Sequence, residues 1–76
     1  MKAQVNRNRR VVAQRLLEAR IKRSLSQEAT ARKAGVDRKT VNRIENGHFS
    51  PSLDTLLRLC RVLDIKPSNL FTGISK

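Results

Sequence analysis

The stretch SQEATARKAGVDRKTVNRIENG, residues 26–47, decides the fold. It divides at Gly35-Val36-Asp37 into two segments of helical length, both rich in good helix formers. Ser26 stands where its hydroxyl can accept from an orphan backbone N–H at the start of the first segment. Asp37 stands in the same place for the second, where its charge also suits the helix dipole. Gly35 and Gly47 follow the two segments, and each can take the left-handed conformation that closes a helix.

The same punctuation continues outward. Ser52 is the expected cap of the next helix, with Ser50 followed by Pro51 as first helical residue the alternative. Pro67 opens a short last helix. No alternating Val/Ile/Thr run is bounded by turns, so strands are not expected. The reading is all-α: five helices at about 9–23, 26–34, 37–46, 52–63 and 67–71, in one domain over 9–76, preceded by a flexible basic arm at 1–8.

Seventy-six residues with two Phe and neither Tyr nor Trp leave the core to aliphatic side chains. Leu53, Leu56, Leu59, Cys60 and Leu63 recur at spacings of three and four, the pattern of a buried helix face. Cys60 is the only cysteine, which excludes an internal disulfide and a cysteine-based zinc site. It is expected to behave as a small buried hydrophobe. His48 has no Cys, Asp or Glu at ligand spacing, so no metal site is expected, and no cofactor. No apolar run of about 18 residues exists to span a membrane, and Val11-Val12-Ala13 is too short for a signal-peptide core.

The net charge is +11, from 17 Lys and Arg against 6 Asp and Glu. Residues 1–23 alone carry +7. Such a balance favours a polyanion, nucleic acid before anionic membrane, although a solvated tail and a charged outer helix face would give the same arithmetic. Enzyme chemistry is set aside: there is no paired-carboxylate site, activated nucleophile or phosphate-binding glycine loop.

On a helical wheel Arg38, Lys39, Asn42 and Arg43 fall within an arc of about 140°, with Val41 and Ile44 opposite. Arg can pair bidentately with guanine, Asn with adenine, and Lys can reach guanine or a phosphate. Any amphipathic surface helix in so basic a chain would look similar. The capped helix before it and the glycine-containing turn between them give the sequence form of a helix-turn-helix. In that unit the second helix enters the major groove and the first crosses the backbone.

From about Val12 to Phe71 the chain resembles the helix-turn-helix family of Cro and phage-repressor type. The resemblance is carried by Arg20, Leu25-Ser26-Gln27-Glu28, Ala31, Ala34-Gly35-Val36, Val41, Ile44-Glu45-Asn46-Gly47, Pro51-Ser52-Leu53, Thr55-Leu56, Leu59-Cys60, Leu63 and Leu70. It implies a compact, lambda-repressor-like bundle of five helices, with the helix-turn-helix at about 26–46. It also implies a cytoplasmic, bacterial or phage-encoded regulator that binds double-stranded DNA as a homodimer on a palindromic operator, with repression expected. Carried across residue by residue, it places Arg38, Lys39, Asn42 and Arg43 on bases, and Gln27 with Ser26 on phosphate. His48 and Ser50, in the loop after the recognition helix, are expected to reach phosphate as well. Arg20 and Glu45 match a partly buried ion pair; an acid facing phosphates would be repelled, so a structural role also suits Glu45 physically. Leu70, Phe71 and Ile74 form a C-terminal apolar cluster that either caps the core or, as the resemblance favours, makes the dimer interface together with Leu57.

Neither a membrane partner nor a small-molecule effector is expected. The competing reading is an antitoxin that neutralises a toxin and represses its own operon, since the same fold serves both. The chain departs from the family pattern at Thr30 and Ala19, where larger aliphatics are usual, and at Asp64, where Gly is frequent. Thr30 could return its hydroxyl to a backbone carbonyl one turn earlier.

Overall fold

The computed structural model describes residues 2–74, and all its regular structure is helical. The helices are α1 (Lys2–Lys22), α2 (Gln27–Ala34), α3 (Arg38–Glu45), α4 (Leu53–Leu63) and α5 (Pro67–Phe71). α2 packs on α3 and α4, while α1 lies across α3, α4 and α5. Leu16, Ala31, Ala34, Val41, Ile44, Leu59, Cys60, Leu63 and Leu70 are buried together where these helices meet.

Residues 2–8, expected as a flexible arm, instead form the first two turns of α1. The physical reason lies in their composition: Lys2-Ala3-Gln4 and Arg7 are good helix formers, and neither Gly nor Pro interrupts the run into Val12. On one side Val5, Arg9 and Val12 lie along a hollow shared with Phe49, Phe71 and Ile74.

The expected caps divide in two. Ser26 Oγ accepts from Ala29 N–H at 2.9 Å, and Ser52 Oγ from Thr55 N–H at 3.1 Å. Asp37 occupies the N-cap position of α3 but makes no side-chain cap bond, so only its charge near the helix dipole remains in its favour. α1, α2 and α4 all end in one motif, a left-handed residue followed by a 6→1 backbone bond. The bonds are Leu25 N–H to Arg20 O at 3.2 Å, Val36 N–H to Ala31 O at 2.9 Å and Ile65 N–H to Cys60 O at 3.0 Å. Gly35 fills the left-handed position after α2, while Ser24 (φ 56°) and Asp64 (φ 53°) do so after the others. Asp tolerates that conformation better than most residues with a Cβ, which answers how Asp64 replaces the usual glycine. After α3, Gly47 has φ 75° and a Cβ there would meet Arg10 Cγ at 3.2 Å. Both its conformation and the close approach of α1 call for glycine.

Arg15 fastens α1 to α5 by donating from Nη1 to the carbonyls of Asn69 (3.2 Å) and Leu70 (2.9 Å). Cys60 is buried as expected, and burial pushes its thiol pKa up. Leu53, expected in the core, is 69% exposed at the first position of α4. Thr30 is only 1% exposed, yet its hydroxyl has no hydrogen-bond partner, so the expected bond to the preceding turn is not made. An unsatisfied buried hydroxyl costs about 1–3 kcal/mol. Thr30→Val keeps the shape and removes that cost. It is expected to stabilise the fold by about 1 kcal/mol and raise the melting temperature by about 4–8 °C. A thermal unfolding curve checks this, and a lowered midpoint would refute it.

Candidate nucleic-acid interface

α3 is held by its back. Val41 and Ile44 are buried against the core, and this leaves Arg38, Lys39 and Arg43 exposed, with Asn42 half-buried beside them. Among these four side chains three only donate hydrogen bonds and the fourth is an amide that donates and accepts. Glu45, the one acid in α3, is turned inward with its side chain 6% exposed. The outward face therefore carries positive charge and donors with no carboxylate among them.

Glu45 is the anchor of a polar network that crosses three helices. Arg20 Nε donates to Oε2 at 2.6 Å and Arg20 Nη2 to Oε1 at 3.0 Å. Gln27 Nε2 donates to the same Oε1 at 2.9 Å. Arg20 Nη1 also donates to the Leu25 carbonyl at 2.8 Å, tying the α1–α2 connection into the network. Asn42 Nδ2 donates to Gln27 Oε1 at 3.3 Å, and Asn46 Nδ2 to Asn42 Oδ1 at 3.2 Å. Both ends of the Gln27 amide are thus engaged within the chain, although each retains capacity for one further bond. Sequence reasoning singled out Arg20, Gln27, Asn42 and Glu45 but missed Asn46. The i,i+4 spacing of Asn42 and Asn46 on one helix was the signal that could have found it.

Ser26 spends its hydroxyl as an acceptor in the α2 cap. His48 and Ser50 are exposed in the loop between α3 and α4. No group of His, Cys, Asp or Glu among the described residues is arranged to hold a metal. No helix there is long and apolar enough to cross a membrane.

The four residues expected at a dimer interface do not form one surface. Leu70 is fully buried, 0% exposed, in the core of its own chain, because the α5 turn presses it inward under Arg15. Leu70 is therefore a core residue and offers no side chain to an interface. Phe71 is 50% exposed and shares its hollow with Ile74 and the N-terminal part of α1. Leu57 is exposed too, but lines a different hollow with Arg61 and Pro67.

A capped helix, a glycine turn and a second helix that is buried behind and basic in front define a helix-turn-helix protein. The helix-turn-helix family (HTH_3) matches residues 16–70. The chain belongs to this family of DNA-binding transcriptional regulators, which are not enzymes. An uncharacterized HTH-type transcriptional regulator of Archaeoglobus fulgidus is 37% identical over 57 residues, 75% of this chain and 81% of its own. The HTH-type regulator YgzD of Bacillus subtilis is 37% identical over 54 residues, 71% of this chain and 82% of its own. Among solved structures, the restriction-modification controller protein C.AhdI of Aeromonas hydrophila superposes with a TM-score of 0.79 at 41% identity. That match covers 83% of this chain and 96% of the controller. An HTH_3 family transcriptional regulator of Vibrio cholerae superposes at 0.80 with 31% identity, over 90% of this chain and 38% of that one.

Proposed function

We propose that this protein is a sequence-specific repressor that binds a palindromic double-stranded operator as a homodimer in the cytoplasm. The observation that carries this reading is the outward face of α3, where Arg38, Lys39, Asn42 and Arg43 stand together without an acid. Arg38, Lys39, Asn42 and Arg43 supply the base contacts. The N-terminus of α2 with Ser26 and Gln27, and the loop with His48 and Ser50, supply phosphate contacts that set the register. Phe71 and Ile74 are the apolar surface for the partner protomer; Leu57, in a separate hollow, lies apart from it. The likeness to a restriction-modification controller, over 96% of that chain, supports a regulatory role for this fold.

A random-pool selection of double-stranded DNA at near-physiological salt tests the reading. The expected product is an inverted repeat with half-sites centred about 34 Å apart on one face of the duplex. An unenriched pool, with binding that disappears as salt rises, would overturn sequence-specific regulation. On the selected site Arg38→Ala is expected to weaken binding by about 1–3 kcal/mol and to relax one base position. Titrations on matched and singly altered duplexes check this. Equal loss on every sequence would move Arg38 from the bases to the phosphates.

A further inference from the structure

The polar network has a direction, and that direction ends on the face proposed to read DNA. A guanidinium only donates and a carboxylate only accepts. Glu45, already receiving Arg20 twice, can receive Gln27 only through the Gln27 NH2 group. A flipped Gln27 would set its carbonyl oxygen against the carboxylate. With Nε2 committed inward, Oε1 is the atom left for Asn42, and an oxygen acceptor requires the Asn42 NH2 group. The Asn42 carbonyl is then turned toward Asn46, which meets it with its own NH2. Amide orientations are ordinarily ambiguous because the oxygen and nitrogen ends have the same shape. Here each one follows from the ion pair at the far end.

The consequence lies in what Asn42 has left over. The network uses one Nδ2 hydrogen and one Oδ1 lone pair, so one donor and one acceptor remain, in a fixed order. In the major groove adenine offers an acceptor, N7, beside a donor, the N6 amino group; guanine offers two acceptors, N7 and O6. A fixed donor–acceptor edge matches adenine and sets the Asn42 oxygen against guanine O6. We infer that Asn46 is a specificity-determining positioning residue, which holds the Asn42 amide as an adenine reader together with the Arg20–Glu45–Gln27 chain. The inference rests on the proposed DNA-binding function and narrows it to one base. Asn46 is exposed, and it caps α3 through its backbone N–H, so its side chain can be removed without removing the cap.

The test is the random-pool selection repeated with the wild type, Asn42→Ala, Asn46→Ala and the double variant, with a melting curve for each. The position that loses its preference with Asn42→Ala identifies the base that Asn42 faces. In the wild type that base is expected to be adenine, preferred by about 5–150-fold. Asn46→Ala is expected to reduce the same preference at least about fivefold, with preferences elsewhere and the melting temperature unchanged. The double variant is expected to lose no more than Asn42→Ala alone, because the two residues act as one unit. Retention of the full preference in Asn46→Ala, a uniform loss across all positions, or a base other than adenine would overturn the inference while leaving the proposed function standing. A wild-type pool without enrichment would overturn both.

Discussion

Glu45→Ala is expected to lower the melting temperature by more than about 12 °C. The carboxylate accepts three hydrogen bonds, two from Arg20 and one from Gln27, with side-chain exposures of 6% for Glu45 and 14% for Arg20. Removing one partner of such a pair leaves the other charge desolvated, at a cost of about 3–5 kcal/mol. For a domain of this size each kcal/mol moves the midpoint by about 4–8 °C. Arg20 would keep only the Leu25 carbonyl, and Gln27 would lose the acceptor that sets its orientation. A second ion pair supplies the contrast. Arg23 and Asp64 stand 3.5 Å apart with side chains 47% and 84% exposed, and such surface pairs contribute about 0–1 kcal/mol. Arg23→Ala is therefore the control in the same thermal series. Equal midpoints for Glu45→Ala and the wild type would show that the network does not hold α3 to α1.

α2, α4 and α5 were legible because their boundaries are written locally. Ser26 and Ser52 cap through their hydroxyls, Gly35 through a left-handed backbone and Pro67 through its fixed φ, so a single residue announces each of these starts or stops. What was not legible depends on partners distant in sequence. Whether Lys2–Asn8 is helix or arm depends on propensity together with the apolar hollow that α1 lies along, and that hollow needs Phe49, Phe71 and Ile74 from elsewhere in the chain. The apolar cluster of Leu70, Phe71 and Ile74 reads equally as core or as interface, and only the packing of α5 against α1 resolves Leu70 as core. Thr30 is the converse: its hydroxyl has a local acceptor available in principle, and the packed geometry does not use it.

The candidate site divides the same way. Wheel geometry places Arg38, Lys39, Asn42 and Arg43 on one arc, and the structure exposes the three cations there while holding Asn42 half-buried. The wheel carries no information on how the Asn42 amide is turned, because that depends on Gln27 on another helix, itself held by Arg20 and Glu45, and on Asn46. The orientation of the Asn42 amide is thus a property of the packed molecule, whereas the charge of the face is a property of the sequence.

That charge sets the second large effect. If each protomer neutralises about four phosphates, a bound dimer releases counterions from about eight, and the log–log slope of affinity against salt is about −7. Raising monovalent salt from about 50 to 200 mM is then expected to weaken operator binding by about 10⁴-fold. The basic residues of the first turns of α1 bear on this number in a way that a flexible arm would not. Lys2, Arg7 and Arg10 are carried exposed on a helix that packs against α3, so their charge keeps a fixed distance from the reading face. Replacing any one of them that does contact phosphate should make the slope shallower by about 1 per protomer and weaken all sequences alike. Replacing one that does not should leave the slope unchanged and alter affinity only through the general field, which is screened beyond about 10 Å at 0.1 M salt. Titrations of the selected operator at four or five salt concentrations separate the two cases. A wild-type slope of about half the expected value on an inverted repeat would mean that one protomer makes the phosphate contacts alone. The homodimer, and not the recognition face, would then be the part of the proposed function to give up.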